Sequence, residues 1–508
     1  MFRYWMLIVA LIAVGLSSGC GGYGGSSSGS GGGSGISATI TNAVTTVQAG
    51  AMYTFDATSP SNNGYTAGIS WSISPASGAG TLSTPTNSGF TSTVIYTAPM
   101  SVPSPNSVTI TATPADSAVS SATDTFMISA AAGNKFSGRF AFAMSGVDAS
   151  SEGVNIAGSM SADGLGNITG GEIDFDRGES PATTSTPLAG AYTLDANMRG
   201  VISITSAAPG ASQALSFAFT LDADGNSGVL SESDANGFQV SGTLHRQDSA
   251  AFSLAKIASE FAFTLESNSA SRVATAGTLT IGENSSIAGI ADSSKAGAGP
   301  LFTSASVAGH VTAPPDANGR GTLMLATSGG ATSRLAYYVV SEKSMLLIET
   351  DSASAGSARQ IGVAERQMLP FSAATANGAS FLRGAGFDAQ ASASGAIDVT
   401  GTLAIENLTH ATIDWSASGA GGAFNDMSVR SELVTFDPAS GRGTIQIANG
   451  SANHFADSVA FYLAEPGKGF FVDTTEGRFN RAMSGDFRSA TVTAETDNVS
   501  ELASTSSR

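Results

Sequence analysis

Cysteine is almost missing from this chain: one residue in 508, Cys20. A fold stapled by disulfides needs cysteine pairs, so covalent cross-linking is excluded as a source of stability. Charge is scarce too. Only 12% of residues are charged, and Lys+Arg number 22 against 40 Asp+Glu, a net −18. Nucleic acid, whose phosphates demand a basic face, is excluded as a partner. Histidine occurs four times, as His245, His310, His410 and His454, each alone in sequence. With no H-E-x-x-H, no C-x-x-C and no His pair at ligand spacing, no metal site, cofactor or catalytic set is expected. No apolar run reaches the ~20 residues that span a bilayer as a helix.

What is present points to strands. Apolar residues make up 42% of the chain, enough for buried cores and too many for a disordered polymer. The 61 glycines and the abundance of Ser, Thr and Ala favour turns and strands over helices.

The amino-terminal residues 1–20 carry a short positive region at Arg3, an apolar stretch from Trp5 to Leu16, and small residues ending at Cys20. This is the layout of a secretory signal. Ser17-Ser18-Gly19-Cys20 resembles a bacterial lipobox, with Ser17 where Leu is usual. The resemblance implies a lipoprotein attached to a membrane through Cys20. Gly21 in the next position implies the outer membrane, by the sorting rule of Gram-negative lipoproteins. Residues 21–35 are almost wholly Gly and Ser, a flexible tether.

Between residues 36 and 131, short runs of β-type residues alternate with turns, including Ile69–Ile73, Thr93–Thr97 and Ser107–Thr113. The opening Val47-Gln48-Ala49-Gly50, the central Trp71, Tyr96-Thr97-Ala98-Pro99 and the closing Val108–Thr113 resemble bacterial Ig-like domains. That resemblance implies a β-sandwich with Trp71 in its core. It implies no particular function, since such modules serve many.

The remainder repeats itself at an interval of about 120 residues. Phe140–Met144, Phe261–Leu265 and Phe381–Ala385 form one anchor. A turn recurs as Asp195…Arg199-Gly200, Asp316…Arg320-Gly321 and Asp437…Arg442-Gly443. A strand pair recurs from Leu215 to Gln247, Leu335 to Gln367 and Val459 to Arg488. Three tandem domains are predicted over 135–250, 255–370 and 375–490, with a polar tail at 491–508. The first holds eight strand candidates joined by short Asp/Gly/Asn turns, hence an antiparallel meander. A closed barrel is favoured over a sandwich because it removes exposed edges. The pattern is similar to lipocalin- and avidin-type barrels. The fold class is therefore all-β: an Ig-like sandwich followed by three eight-stranded antiparallel repeats. The third copy departs at Arg383, which falls where Phe142 and Phe263 stand; either the strand has slipped or its end is open.

Candidate chemistry is sparse. Asp222-Ala223-Asp224-Gly225-Asn226 has the oxygen spacing of a Ca²⁺ loop but lacks its closing Glu, so it reads as a hairpin turn. Glu172, Asp174 and Asp176, spaced by two, share one face of a strand and read as a solvated face. The recurring Asp…Arg-Gly turn is assigned to folding, with Arg able to pair back to Asp. Trp415 could serve as a sugar platform or as core. The expected function is non-enzymatic: a lipid-anchored envelope protein, periplasmic or surface-facing, with a structural, adhesive or surface-interaction role toward an unknown protein or glycan. The alternative is a binder of a small molecule, lipid or glycan, using the barrel interiors, which inward Phe, Leu and Met would fill and small residues would leave open.

Overall fold

The computed structural model describes residues 36–489, except 62–63, 65, 100–101, 130–134, 151, 178–182, 196, 207–214, 235–236, 268–271, 330–331, 352–358, 389–394, 407–409, 420–421, 448–456 and 476–480. Cys20, the tether, His454 and the 491–508 tail lie outside the described residues.

Strands dominate because the sequence alternates apolar and polar residues and offers few helix formers. The amino-terminal part is two sheets, one of five strands and one of four. Phe55, Val94 and Tyr96 from one sheet meet Val108, Ile110 and Phe126 from the other in a shared core. Trp71 is half-buried at its margin, its indole N–H donating to Ser92 Oγ at 2.9 Å.

Three closed eight-stranded antiparallel barrels follow. Barrel 1 comprises Ser137–Val147, Gly153–Asp163, Asn167–Arg177, Thr183–Leu194, Arg199–Ser206, Leu215–Leu221, Ser227–Glu232 and Gln239–Arg246. Barrel 2 comprises Glu260–Ser267, Val273–Ile281, Ser286–Lys295, Gly299–Ala313, Arg320–Thr327, Thr332–Ser341, Ser344–Glu349 and Gln360–Arg366. Barrel 3 comprises Gly378–Asp388, Gly395–Glu406, His410–Gly419, Gly422–Asp437, Arg442–Ile447, Ser458–Glu465, Lys468–Asp473 and Arg481–Ser489. In each, the first strand pairs with the eighth and leaves no edge.

Period-two patterning sets the inward face as expected. Phe140, Phe142, Met144, Leu215, Phe217, Phe219 and Leu221 all enter the core of barrel 1. In barrel 3 the first strand has slipped by one residue. Leu382 stands opposite Gly401, as Phe142 stands opposite Gly158 and Phe263 opposite Gly277. Leu382 is buried, while Arg383 and Phe381 are exposed. The slip keeps a guanidinium out of an apolar interior, and it shifts the Phe381 and Arg488 anchors off their apparent repeat positions.

Candidate functional site

Outward-facing residues of an isolated barrel should be polar. Here many are alanine, because each barrel lies against the next. Ala141, Ala143 and Ala157 of barrel 1 pack on Ala336, Tyr338, Val340, Leu346 and Ile348 of barrel 2. Ala262, Ala274, Ala276 and Val363 of barrel 2 pack likewise on Ala460, Tyr462, Phe470 and Val472 of barrel 3. The contact is head-to-tail: early strands of one barrel meet late strands of its successor. Small side chains let the sheets approach, and that apolar burial is the basis of cohesion.

A buried carboxylate sits at the centre of each contact. Asp174, on the third strand of barrel 1, accepts Arg320 Nε at 2.8 Å and Nη2 at 2.9 Å. It also accepts the Tyr338 hydroxyl at 2.6 Å and the Ser185 backbone N–H at 2.9 Å. Asp292, at the same register in barrel 2, accepts Arg442 Nε at 2.8 Å and Nη2 at 2.9 Å, the Tyr462 hydroxyl, and the Ser304 N–H at 2.8 Å. Ser185 and Ser304 hold positive φ (52° and 47°), which aims their N–H groups at the carboxylate. Four donors on two oxygens satisfy an ionised carboxylate, which is what makes such a burial tolerable. Burial alone would lower the pKa of both arginines, but the adjoining carboxylates outweigh it and hold them raised. Burial, then the neighbouring Asp, pushes the Tyr338 and Tyr462 hydroxyls well up.

The recurring turn supplies the arginine. Asp316 Oδ1 accepts the backbone N–H groups of Asn318 and Arg320 at 2.8 and 3.0 Å, and Asp195 does the same for Asn197 and Arg199. The turn aspartate thus serves folding, as expected. The expected pairing of Arg back to that Asp is corrected: Arg320 and Arg442 reach the preceding barrel instead. Glycine follows each arginine because the aromatic ring of the neighbouring strand (Phe219, Tyr337 or Phe461) lies where a Cβ would project. The linkers complete the joint. Gln247 Nε2 donates to Val339 O at 2.7 Å and Gln367 Nε2 to Leu463 O at 2.7 Å. Phe252 and Phe371 then cover Gly319 and Gly441.

The two terminal barrels lack half of this apparatus. Barrel 1 has no preceding barrel. Thr220 stands opposite Arg199 where Tyr338 and Tyr462 stand opposite their arginines, and Met198 replaces the linker-covered glycine. Arg199 is exposed. In barrel 3 the place of Asp174 and Asp292 is taken by Ser416.

The acidic run is also corrected. Glu172, Asp174 and Asp176 are 4%, 1% and 1% exposed, so they are not a solvated face but part of the first junction. Glu172 accepts Asn318 Nδ2 at 2.9 Å and Ser185 Oγ at 2.8 Å, and burial raises its pKa. Asp176 pairs with Arg359 at 2.6 Å, yet burial still pushes it up to about 6. The signal for this was available: three carboxylates on one strand face, the middle one beside Ala157 and the alanine-bearing strand of Ala141 and Ala143. Trp415 is core, 2% exposed, and offers no platform. Asp222–Asn226 is a hairpin turn, with Gly225 N donating to Asp222 O at 2.9 Å. His245 is buried on the last strand of barrel 1, while His310 is exposed and His410 half-buried, both on strands. Among the described residues no group of three metal-ligating side chains converges.

Two cavities adjoin these elements. A chamber of about 60 Å³ lies where the three barrels meet, lined by Ser145, Glu266, Arg272, Phe387 and Asp486. Ser484 Oγ donates to Glu266 Oε1 at 2.8 Å, and burial pushes Glu266 up to about 8. A larger space, about 270 Å³, lies inside barrel 2.

No family model matches the chain, and no curated protein does. A solved structure, isotype 1 transferrin-binding protein B from serogroup B Neisseria meningitidis, aligns at 9% identity and a TM-score of 0.20 over 66% of this chain. The match spans 64% of that protein's length.

Proposed function

We propose that this chain is a non-enzymatic, lipid-anchored protein of the bacterial cell envelope whose three barrels act as one stiff body that presents a surface to a protein or glycan partner. Cys20 is the attachment point in this reading, residues 21–35 are the tether, and the amino-terminal sandwich is an Ig-like spacer. One observation carries the reading: the same Asp–Arg–Tyr clamp, fully hydrogen-bonded and buried, fixes both barrel junctions. Tandem domains on a passive string need no such clamp; domains that must hold a common surface do.

The test combines placement with shape. Lipid labelling of cells making the native chain or Cys20→Ala, followed by protease treatment of intact cells, should give lipid on the native chain only and cleavage from outside. Small-angle scattering of the Cys20→Ala chain should fit one fixed arrangement of the barrels, lost in Asp174→Ala/Asp292→Ala. Absence of lipid on Cys20, or scattering from independently moving barrels in the parent chain, overturns the reading.

A further inference from the structure

Barrels 1 and 2 share a backbone but not an interior. Register places Thr275, Ala291, Ser293 and Gln360 of barrel 2 where barrel 1 has Ile156, Ile173, Phe175 and Val240. All four barrel 1 residues belong to its packed core. The replacements are smaller or polar; Thr275, Ala291 and Ser293 lie on the paired second and third strands, and Gln360, on the eighth, reaches Thr275 past the first. The void of about 270 Å³ lies against them. Its other walls are mostly apolar, among them Phe263, Leu265, Val307, Leu325 and Leu335, with Thr327, Thr332 and Ser333 also on the lining.

The polar groups gather at one end. Gln360 Nε2 donates to Thr275 Oγ1 at 3.0 Å, Thr275 and Ser293 share a hydrogen bond of 2.9 Å, and the Gln360 N–H donates to Glu349 Oε2 at 3.1 Å. Glu349 is 8% exposed. Burial first, then the charges of Asp351 and Asp176, pushes its carboxyl up to about 8. Burial thus holds a proton on Glu349 at neutral pH; an ammonium head set against it would take that proton's place and supply the missing counter-charge, whereas an anion would meet Glu349, Asp351 and Asp176 together. An apolar cavity of about 150 Å³ takes one benzene, so this space suits an apolar body of about eight to ten carbons.

We infer that barrel 2 is a binding site for a small cationic amphiphile, its apolar body among Phe263, Leu265, Val307 and Leu335 and its amine head at Glu349 and Gln360. The site is independent of the presenting role proposed above and stands or falls by itself.

Calorimetric titration of the full chain carrying Cys20→Ala with n-octylamine, n-octanol and n-octanoate tests it. The amine should bind once per chain, with octanol weaker by about fivefold and octanoate by about tenfold or more. Ala291→Ile/Ser293→Phe, which rebuilds barrel 1's wall, should weaken the amine by about tenfold or more while the unfolding temperature holds or rises. Should that pair not fold, the smaller filling Thr275→Ile carries the same expectation. Glu349→Gln should erase the preference for amine over alcohol. No saturable uptake by the parent chain, equal affinity after filling, or a preference for octanoate overturns the inference.

Discussion

The two junctions are built on one plan but are not equally provided for. At the first, Arg320 has Glu172 at 3.8 Å in addition to Asp174, and Asn318, Arg139 and Arg359 add further bonds. At the second, Asp292 is the carboxylate of Arg442, and Ile290 and Ser294 occupy the places of Glu172 and Asp176. The shared part is the joint itself; the remainder is accessory. The lesson is that a buried carboxylate is tolerated here by complete donation from its neighbours, and that a second carboxylate stands beside the clamp arginine at the first junction, while the accessory contacts of the second, Lys468–Glu365 at 3.0 Å and Ser484–Glu266 at 2.8 Å, lie away from its clamp.

The sharpest way to break the comparison is to remove each central aspartate. Asp292→Ala leaves Arg442 buried with no second carboxylate among the described residues, and the expected loss is about 3–5 kcal/mol by denaturant unfolding. Asp174→Ala should cost less, because Glu172 remains beside Arg320; equal losses would mean that the accessory contacts contribute nothing. Next, Tyr338→Phe and Tyr462→Phe each remove one donor from an ionised acceptor and should cost about 1.5–3 kcal/mol, alike at the two junctions.

A third contrast concerns pH. Asp176 is pushed up to about 6, and Glu232, Glu266 and Glu349 to about 7, 8 and 8. A carboxyl raised in the folded state binds its proton more readily there than in the unfolded chain. Its stabilising effect is therefore complete below its unfolded pKa and lost as pH rises through the folded value. The melting temperature should climb as pH falls from 8 toward 5, opposite to the usual acid sensitivity. Asp176→Ser, which copies the second junction, should remove the part of that slope centred near pH 6. The smallest effect is expected at the free end: Arg199→Ala should leave the unfolding midpoint where it was, although the same motif position in barrels 2 and 3 is a clamp.

Much of this was legible before any coordinates. Alternation at Leu215–Leu221 and Phe140–Met144 fixed the inward faces, and short Asp/Gly turns implied the meander. Closure of the barrel followed from the cost of free edges. The slip at Arg383 was readable as a conflict, because a charge on an inward position must be resolved somehow. The junctions were not legible, since Asp174 meets Arg320 across 146 residues and periodicity carries no record of which outer faces meet. Only composition gave a hint, in alanines at 141, 143, 157, 262, 274 and 276 where water-facing positions should be polar. The cavity in barrel 2 was hidden for a related reason: Ala291 and Ser293 look unremarkable until register sets them against Ile173 and Phe175.

The unlike ends of the stack have a consequence for copies of this chain meeting one another. A head-to-tail contact whose rotation does not close a ring has no internal stop and grows into a filament. Here the first barrel offers Thr220 and Met198 instead of the tyrosine and the glycine, and the last offers Ser416 instead of the aspartate. The clamp that joins the barrels within the chain therefore has no counterpart between the last barrel of one molecule and the first barrel of the next.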